Sequence, residues 1–175
     1  LDILEDRKQG HLIKYLKQYD INNRSEVQFF VSDMWKPYHE LAQSFFKNAT
    51  YLVDKYHYVR QIIWAFERTR KRIQKRYGKE YRLMFKNSKS ILTKRQSKLK
   101  PKQKERVDAL LYVNDELRKA YYLKERFYAI LDCQERHTAK EMMNDWLYMA
   151  QNSKLAEYYQ CSNTLINWQK EILNT

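Results

Sequence analysis

Two glycines and two prolines are the only strong chain-breakers among 175 residues, and that scarcity is the tightest limit on the fold. Hairpins and all-β folds close through turns that need positive φ or a φ held near about −65°. With only Gly10, Pro37, Gly78 and Pro101 available for this, the chain favours long helices. Apolar residues make up 43% and aromatics 15%, so those helices have material to bury and the chain is not of the disordered class. One domain with an appendage, or two small domains, fits this length.

The first part of the chain repeats a short apolar run, a polar break and a helical run. Leu1, Ile3 and Leu4 form the first run, with Leu12, Ile13 and Leu16 at helical spacing behind it. Val27, Phe29, Phe30 and Val31 form the second, too short for a helix and rich in β-formers. Pro37 then suits a first helical turn, and Tyr38, Leu41, Ala42 and Phe45 share a face. Ala49 to Val53 is the third run, followed by a helix with Val59, Ile62, Ile63, Phe66 and Ile73 inward. Strands alternating with helices in this way predict βαβ units and parallel strands. Residues 1–66 are therefore expected to be a β-α-β-α-β-α unit, an incomplete α/β sheet. Leu1, with no initiating Met, reads as interior to a longer chain.

Residues 67–175 carry no strand signal and are expected to be an all-α domain, helical or partly disordered over 67–106 with breaks near Gly78 and Pro101. Val107, Leu110, Leu111, Leu117, Tyr121, Tyr128 and Leu131 make a long amphipathic stripe. Thr138 with Glu141 reads as a capping box for a helix burying Met142, Trp146, Met149 and Ala150. A last helix is expected to turn Leu155, Tyr158, Leu165, Ile166, Ile172 and Leu173 inward. Trp35, Trp64, Trp146 and Trp168 read as core.

The formal charge of +13 is one block: residues 61–106 hold 17 Lys/Arg against 3 Asp/Glu. Arg68, Arg70, Lys71, Arg72, Lys75, Arg76, Lys79 and Arg82 are too dense to be balanced by acids at i,i+4 and are interleaved with Tyr77, Tyr81 and Phe85. These eight are the candidate DNA-binding residues, meeting phosphates without reading bases. A second basic run follows from Lys94 to Arg106. An anionic membrane surface is the other natural partner of such a block, but no apolar stretch approaches the roughly 18 residues of a membrane span. Cys133 and Cys161 have neither zinc-site spacing nor disulfide density and read as buried, reduced thiols of a cytosolic protein.

In parallel sheets the strand carboxyl ends face the functional crevice. Asp6, Asp33 and Asp54 each follow one of the three apolar runs. Carboxylates gathered there suit divalent-metal phosphoryl transfer. A helix cap or a solvated loop group is the competing reading of Asp33. His57 beside Asp54 is either a hydrogen-bonded structural residue or active-site support. His11, His39 and His137 have no obvious partners in sequence.

Val31-Ser32-Asp33-Met34-Trp35-Lys36-Pro37-Tyr38, then Phe45-Phe46-Lys47-Asn48-Ala49, then Val53-Asp54-Lys55-Tyr56-His57-Tyr58-Val59 resembles the signature of the ISL-three family of bacterial insertion-sequence transposases. That pattern runs Ser-Asp-Met, a short spacer, Tyr, then Phe-Pro-Asn-Ala, then Asp-Arg-Phe-His-Val. Lys47 departs from it where the family has Pro, and Lys55 and Tyr56 are conservative changes. The resemblance covers about thirty residues, and the helical remainder is similar only in general character. It implies a ribonuclease-H-like core whose Asp-Asp-Glu triad holds Mg²⁺ or Mn²⁺, cutting DNA and joining it to a target during transposition. Asp33 matches the second acidic residue, catalytic and metal-binding, while Asp54 and His57 match an Asp-x-x-His element that supports the active site.

The same resemblance puts the first Asp upstream of Leu1 and the Glu beyond Thr175, so this polypeptide is expected to be catalytically incomplete. It makes residues 67–175 a helical insertion. The partners implied are insertion-sequence ends and target DNA in the bacterial cytoplasm, with no membrane. Unpaired strand edges would allow two copies to associate. A non-enzymatic basic helical nucleic-acid-binding protein is the rival reading.

Overall fold

The computed structural model describes residues 2–175. In chain order the elements are α1 (Gln9–Leu16), α2 (Ile21–Ser25), β1 (Phe29–Ser32), α3 (Lys36–Phe45), β2 (Thr50–Val53), α4 (Lys55–Gln74), α5 (Lys79–Asn87) and α6 (Lys89–Thr93). A 3₁₀ turn (Gln96–Lys98) leads to α7 (Pro101–Val113), α8 (Asp115–Asp132), α9 (Arg136–Asn152), α10 (Ala156–Asn167) and α11 (Gln169–Ile172). The result is a mostly helical chain with a partial parallel sheet, as the Gly/Pro scarcity and the alternating runs predict. It divides into two compact units, one running through Tyr58 and joined by Trp168–Thr175, the other Val59–Asn167.

In the first unit β1 and β2 pair in parallel, from Phe29 opposite Thr50 to Ser32 opposite Val53. Parallel strands need a crossover, and α3 supplies it, opening with Pro37 in its first turn and burying Leu41 and Ala42. One sheet face is packed: the Phe30 ring lies 5.6 Å from Tyr51 and 5.4 Å from Phe46, with Val53 fully buried. On the other face Phe29 and Val31 are each 60% exposed.

Thr50 and Asp54 donate their N–H groups to the Gln28 and Ser32 carbonyls of the β1 segment, both at 2.8 Å. Alternation then turns the Tyr51 and Val53 carbonyls to the opposite edge. There they accept from Asn174 Nδ2 at 3.0 Å and Thr175 Oγ1 at 3.1 Å. The last residues thus cover the edge of β2 that β1 leaves open.

The strand expected from Leu1, Ile3 and Leu4 is absent among the described residues; Leu1 lies outside them. Residues 2–8 form no regular element, and Ile3 is 92% exposed. The physical reason is that a short apolar run forms a strand only beside a neighbour that takes its backbone bonds, and the described sheet consists of β1 and β2 alone. Local bonds such as Lys8 N–H to Asp6 Oδ1 at 2.9 Å satisfy the backbone instead.

In the second unit α7 packs on α8, α8 on α9 and α9 on α10. Two buried polar tips reach α8 carbonyls: Trp146 Nε1 donates to Leu123 O at 2.7 Å and Tyr158 Oη to Ala120 O at 2.6 Å. Each ring buries apolar area and leaves no orphan donor. Gly78 is the N-cap of α5 and Pro101 opens α7, so residues 67–106, expected to be helical or partly disordered, are largely helical. Asn114 caps α8 through Leu117 N–H at 2.8 Å, splitting the long amphipathic stripe into two helices.

Three sequence expectations change here. α9 begins at Arg136, so Thr138 is not its cap; its hydroxyl instead bonds Glu135, the N-cap residue. The last helix breaks at Trp168 into α10 and α11, and Ile166 is 43% exposed. Trp64 is likewise exposed, with the Arg60 guanidinium 4.5 Å over its ring, a contact that holds an aromatic ring at the surface.

Candidate active-site edge and basic helix face

Asp33 and Asp54 each stand one residue past the paired ends of β1 and β2, Ser32 and Val53. The parallel register, confirmed there by Asp54 N–H to Ser32 O, therefore brings the two backbones together at the carboxyl edge of the sheet. Tyr51 anchors this corner: its hydroxyl donates to Asp33 O at 3.1 Å and shares a short hydrogen bond with Ser32 Oγ. Burial pushes the Tyr51 phenol up, the Ser32 bond opposes the shift, and the fields of Asp33 and Glu171 add to it.

The Asp33 side chain is half-buried, and its Oδ1 is shielded from solvent without a hydrogen-bond partner among the described residues. A sequestered acceptor normally finds a donor. Asp54 differs: it is exposed, its Oδ1 accepts from Tyr56 N–H at 3.0 Å, and its Oδ2 lies 3.8 Å from His57 Nε2. Those bonds tie the Asp-x-x-His element to the first turn of α4.

Asp6 does not join this edge, because the strand expected to carry it is not formed. It is held by its own neighbours, Lys8 N–H first, then Lys8 Nζ at 3.0 Å and His11 Nδ1 at 2.9 Å, which keep its carboxyl below the usual range. His39 packs 4.9 Å from the Tyr51 ring and 5.6 Å from Trp168, with Nε2 3.3 Å from Glu171. The partners of His39 are not evident from sequence, since Glu171 and Trp168 lie far along the chain, whereas His11 meets Asp6 from within its own segment. Among the described residues no group of three or more His, Cys, Asp or Glu could hold a metal ion. Asp33 fits a hard divalent cation as one ligand, but not a full protein shell.

The eight basic candidates divide by helix face. Arg70 is 3% exposed, with Nε and Nη2 on Glu67 at 2.7 and 2.9 Å, and Nη1 on Gln74 and the Phe85 carbonyl. Arg72 bonds Glu157 at 2.7 Å and Glu116 at 2.5 Å, and Arg76 also pairs with Glu116. Arg68, Lys71 and Lys75, spaced i, i+3, i+7 along α4, are exposed, as are Lys79 and Arg82 on α5. Arg68 to Lys75 is a ridge of about 10 Å. In the second basic run Arg95 is committed to Asp132 at 2.8 Å and lies over Tyr128, while Lys98, Lys100, Lys102, Lys104 and Arg106 are exposed. Lys86 and Leu83, which the sequence reading did not single out, share the α5 face with Lys79 and Arg82. Their i+4 and i+7 positions relative to Lys79 were the available signal.

No described helix is long and apolar enough to cross a membrane. No curated protein and no solved structure matches the chain. The family model for DDE transposases of the ISL-three type, described as "Transposase", matches residues 1–175, the whole length. With the Ser-Asp-Met segment at the end of β1 and the Asp-x-x-His element opening α4, the chain belongs to the ISL-three family of DDE transposases.

Proposed function

We propose that this polypeptide contributes to metal-dependent cleavage and transfer of DNA strands in transposition. In this reading residues 1–66 are part of a ribonuclease-H-like core and residues 67–175 a basic helical insertion. Asp33 is the catalytic carboxylate and a ligand of Mg²⁺ or Mn²⁺, with Asp54 and His57 holding the neighbouring strand end in place. The observation that carries the reading is the Asp33 Oδ1 atom, shielded at the carboxyl end of a parallel strand with no donor among the described residues. A divalent ion bound there would neutralise charge on the reacting phosphate. Among the described residues no group of three such ligands comes together, so the isolated polypeptide is expected to cleave nothing.

DNA is met by Arg68, Lys71, Lys75, Lys79 and Arg82, whereas Arg70, Arg72 and Arg76 hold helices together. The absence of a three-carboxylate group among the described residues favours the second reading, a non-enzymatic nucleic-acid-binding protein. Paramagnetic broadening by Mn²⁺ separates the two. Selective loss of NMR signals around Asp33, abolished in Asp33→Ala, supports the transposase role, and uniform or absent broadening supports the second reading.

A further inference from the structure

On α5, Lys79, Arg82, Leu83 and Lys86 recur at i, i+3, i+4 and i+7 and so share one helix face. That spacing ordinarily marks a core stripe. Here three of the four are cationic and all four are exposed, while Phe85 on another face of the helix is the buried residue. The face borders a cavity of about 470 Å³ that Gln74 and Tyr77 complete, within the size range of ligand pockets, roughly 300–1,000 Å³. No carboxylate lines it; Glu80 lies on α5 outside the lining.

The wall is fixed in position. The Tyr77 hydroxyl accepts from Asn114 Nδ2 at 3.0 Å, and its ring packs 5.1 Å from Phe85 and 5.8 Å from Tyr81. Gln74 has its Oε1 taken by Arg70 at 2.8 Å, which orients the amide N–H groups away from that contact. Leu83 adds apolar surface, 46% exposed.

Phosphates of a duplex need only cations on an open surface. An apolar and aromatic wall inside a cationic concavity has no use for them, but it desolvates the face of a base while the cations neutralise the flanking phosphates. We infer that this cavity takes an unpaired nucleotide of a single DNA strand, with Lys79, Arg82 and Lys86 on the phosphates and the base against Tyr77 and Leu83. The inference rests on the DNA-binding reading above and adds the strand state that the α5 face selects.

The test is fluorescence anisotropy of the full 175-residue chain against a blunt duplex and the same duplex carrying an oligo-dT tail, at one salt concentration. The tail is expected to tighten binding at least about fivefold. Leu83→Ser, at an exposed position, and separately Lys79→Ala with Lys86→Ala, should erase that advantage. Leu83→Ser should also leave blunt-duplex affinity unchanged. A tail without effect on the wild type, or a Leu83→Ser variant that weakens both DNAs equally, overturns the inference while leaving duplex binding intact. Failure to bind either DNA overturns the DNA-binding reading as well.

Discussion

Arg72 Nε lies 2.7 Å from Glu157 Oε1, joining α4 to α10 across 85 residues of sequence. A residue that composition assigns to phosphate contact is therefore engaged inside the helical unit. Glu116 accepts from Arg72 Nη1 and pairs with Arg76 as well. Charge-assisted bonds of this kind are the strong ones, and they withdraw cations from the binding surface.

The same network gives stability a pH dependence. The Arg72 bond holds the Glu116 carboxyl below its ordinary 4.5. For Glu157 burial is the largest influence and pushes the carboxyl up, but the Arg72 hydrogen bond, the backbone N–H of Glu157, the Arg72 charge and Thr69 together bring it below the usual range. A depressed carboxylate contributes stability that is fully present above the unfolded pKa and is lost as pH falls through the folded one. Thermal melts should therefore decline below about pH 4.5. Glu157→Gln should cost about 1–3 kcal/mol at neutral pH and flatten that decline. An unchanged acid limb in the variant would assign the dependence to other groups.

Salt dependence distinguishes the exposed ridge from the buried cations. Each lost phosphate contact should make the slope of log K against log [salt] shallower by roughly 0.9 on duplex DNA. Arg68→Ala, Lys71→Ala and Lys75→Ala together should flatten it by up to three such steps without lowering the melting temperature. Arg70→Ala should do the reverse, destabilising the fold by leaving Glu67 buried and unpaired while the slope of the folded fraction stays the same. Equal slopes in the wild type and the triple variant would remove the ridge from the interface.

At the sheet edge, the shielded Asp33 Oδ1 has no hydrogen-bond partner among the described residues, and a sequestered acceptor left unpaired weakens a fold. Asp33→Ala is expected to raise unfolding free energy in chelator by about 1 kcal/mol, read from denaturant midpoints. A lower midpoint would mean that the carboxylate has a stabilising protein partner in solution.

The two thiols should separate by reactivity. Burial pushes the Cys161 thiol up to about 12, with Arg68 a minor opposing influence. Cys133 is half-buried and its thiol donates to the Glu135 carbonyl. Alkylation of the native protein at mildly alkaline pH should label Cys133 and reach Cys161 only when denaturant is added, since the thiolate is the reacting species. Equal labelling in the native state would show that α10 opens.

Much of the first unit was legible because its signals are local. The β-forming run at Phe29 to Val31, Pro37 in a first turn, and the run ending at Val53 all act within a few residues, and they mark β1, α3 and β2 within one or two positions. The family signature rests on the same segments. Leu1, Ile3 and Leu4 misled because short apolar runs make a strand only where a neighbour accepts their backbone bonds.

Composition determined that this chain would be helical, basic through its middle, and equipped with acidic residues after its short strands. Only tertiary structure decided which cations are available, because a helix turns about 100° per residue and its neighbours decide which side is dry. Arg70 and Arg72 therefore point into ion pairs, while Arg68, Lys71 and Lys75 remain in water. It also decided that the last eight residues, Trp168–Thr175, return to the open edge of β2. Sequence periodicity records the faces of one helix at a time, and it carries no record of which distant edge a terminal turn will satisfy.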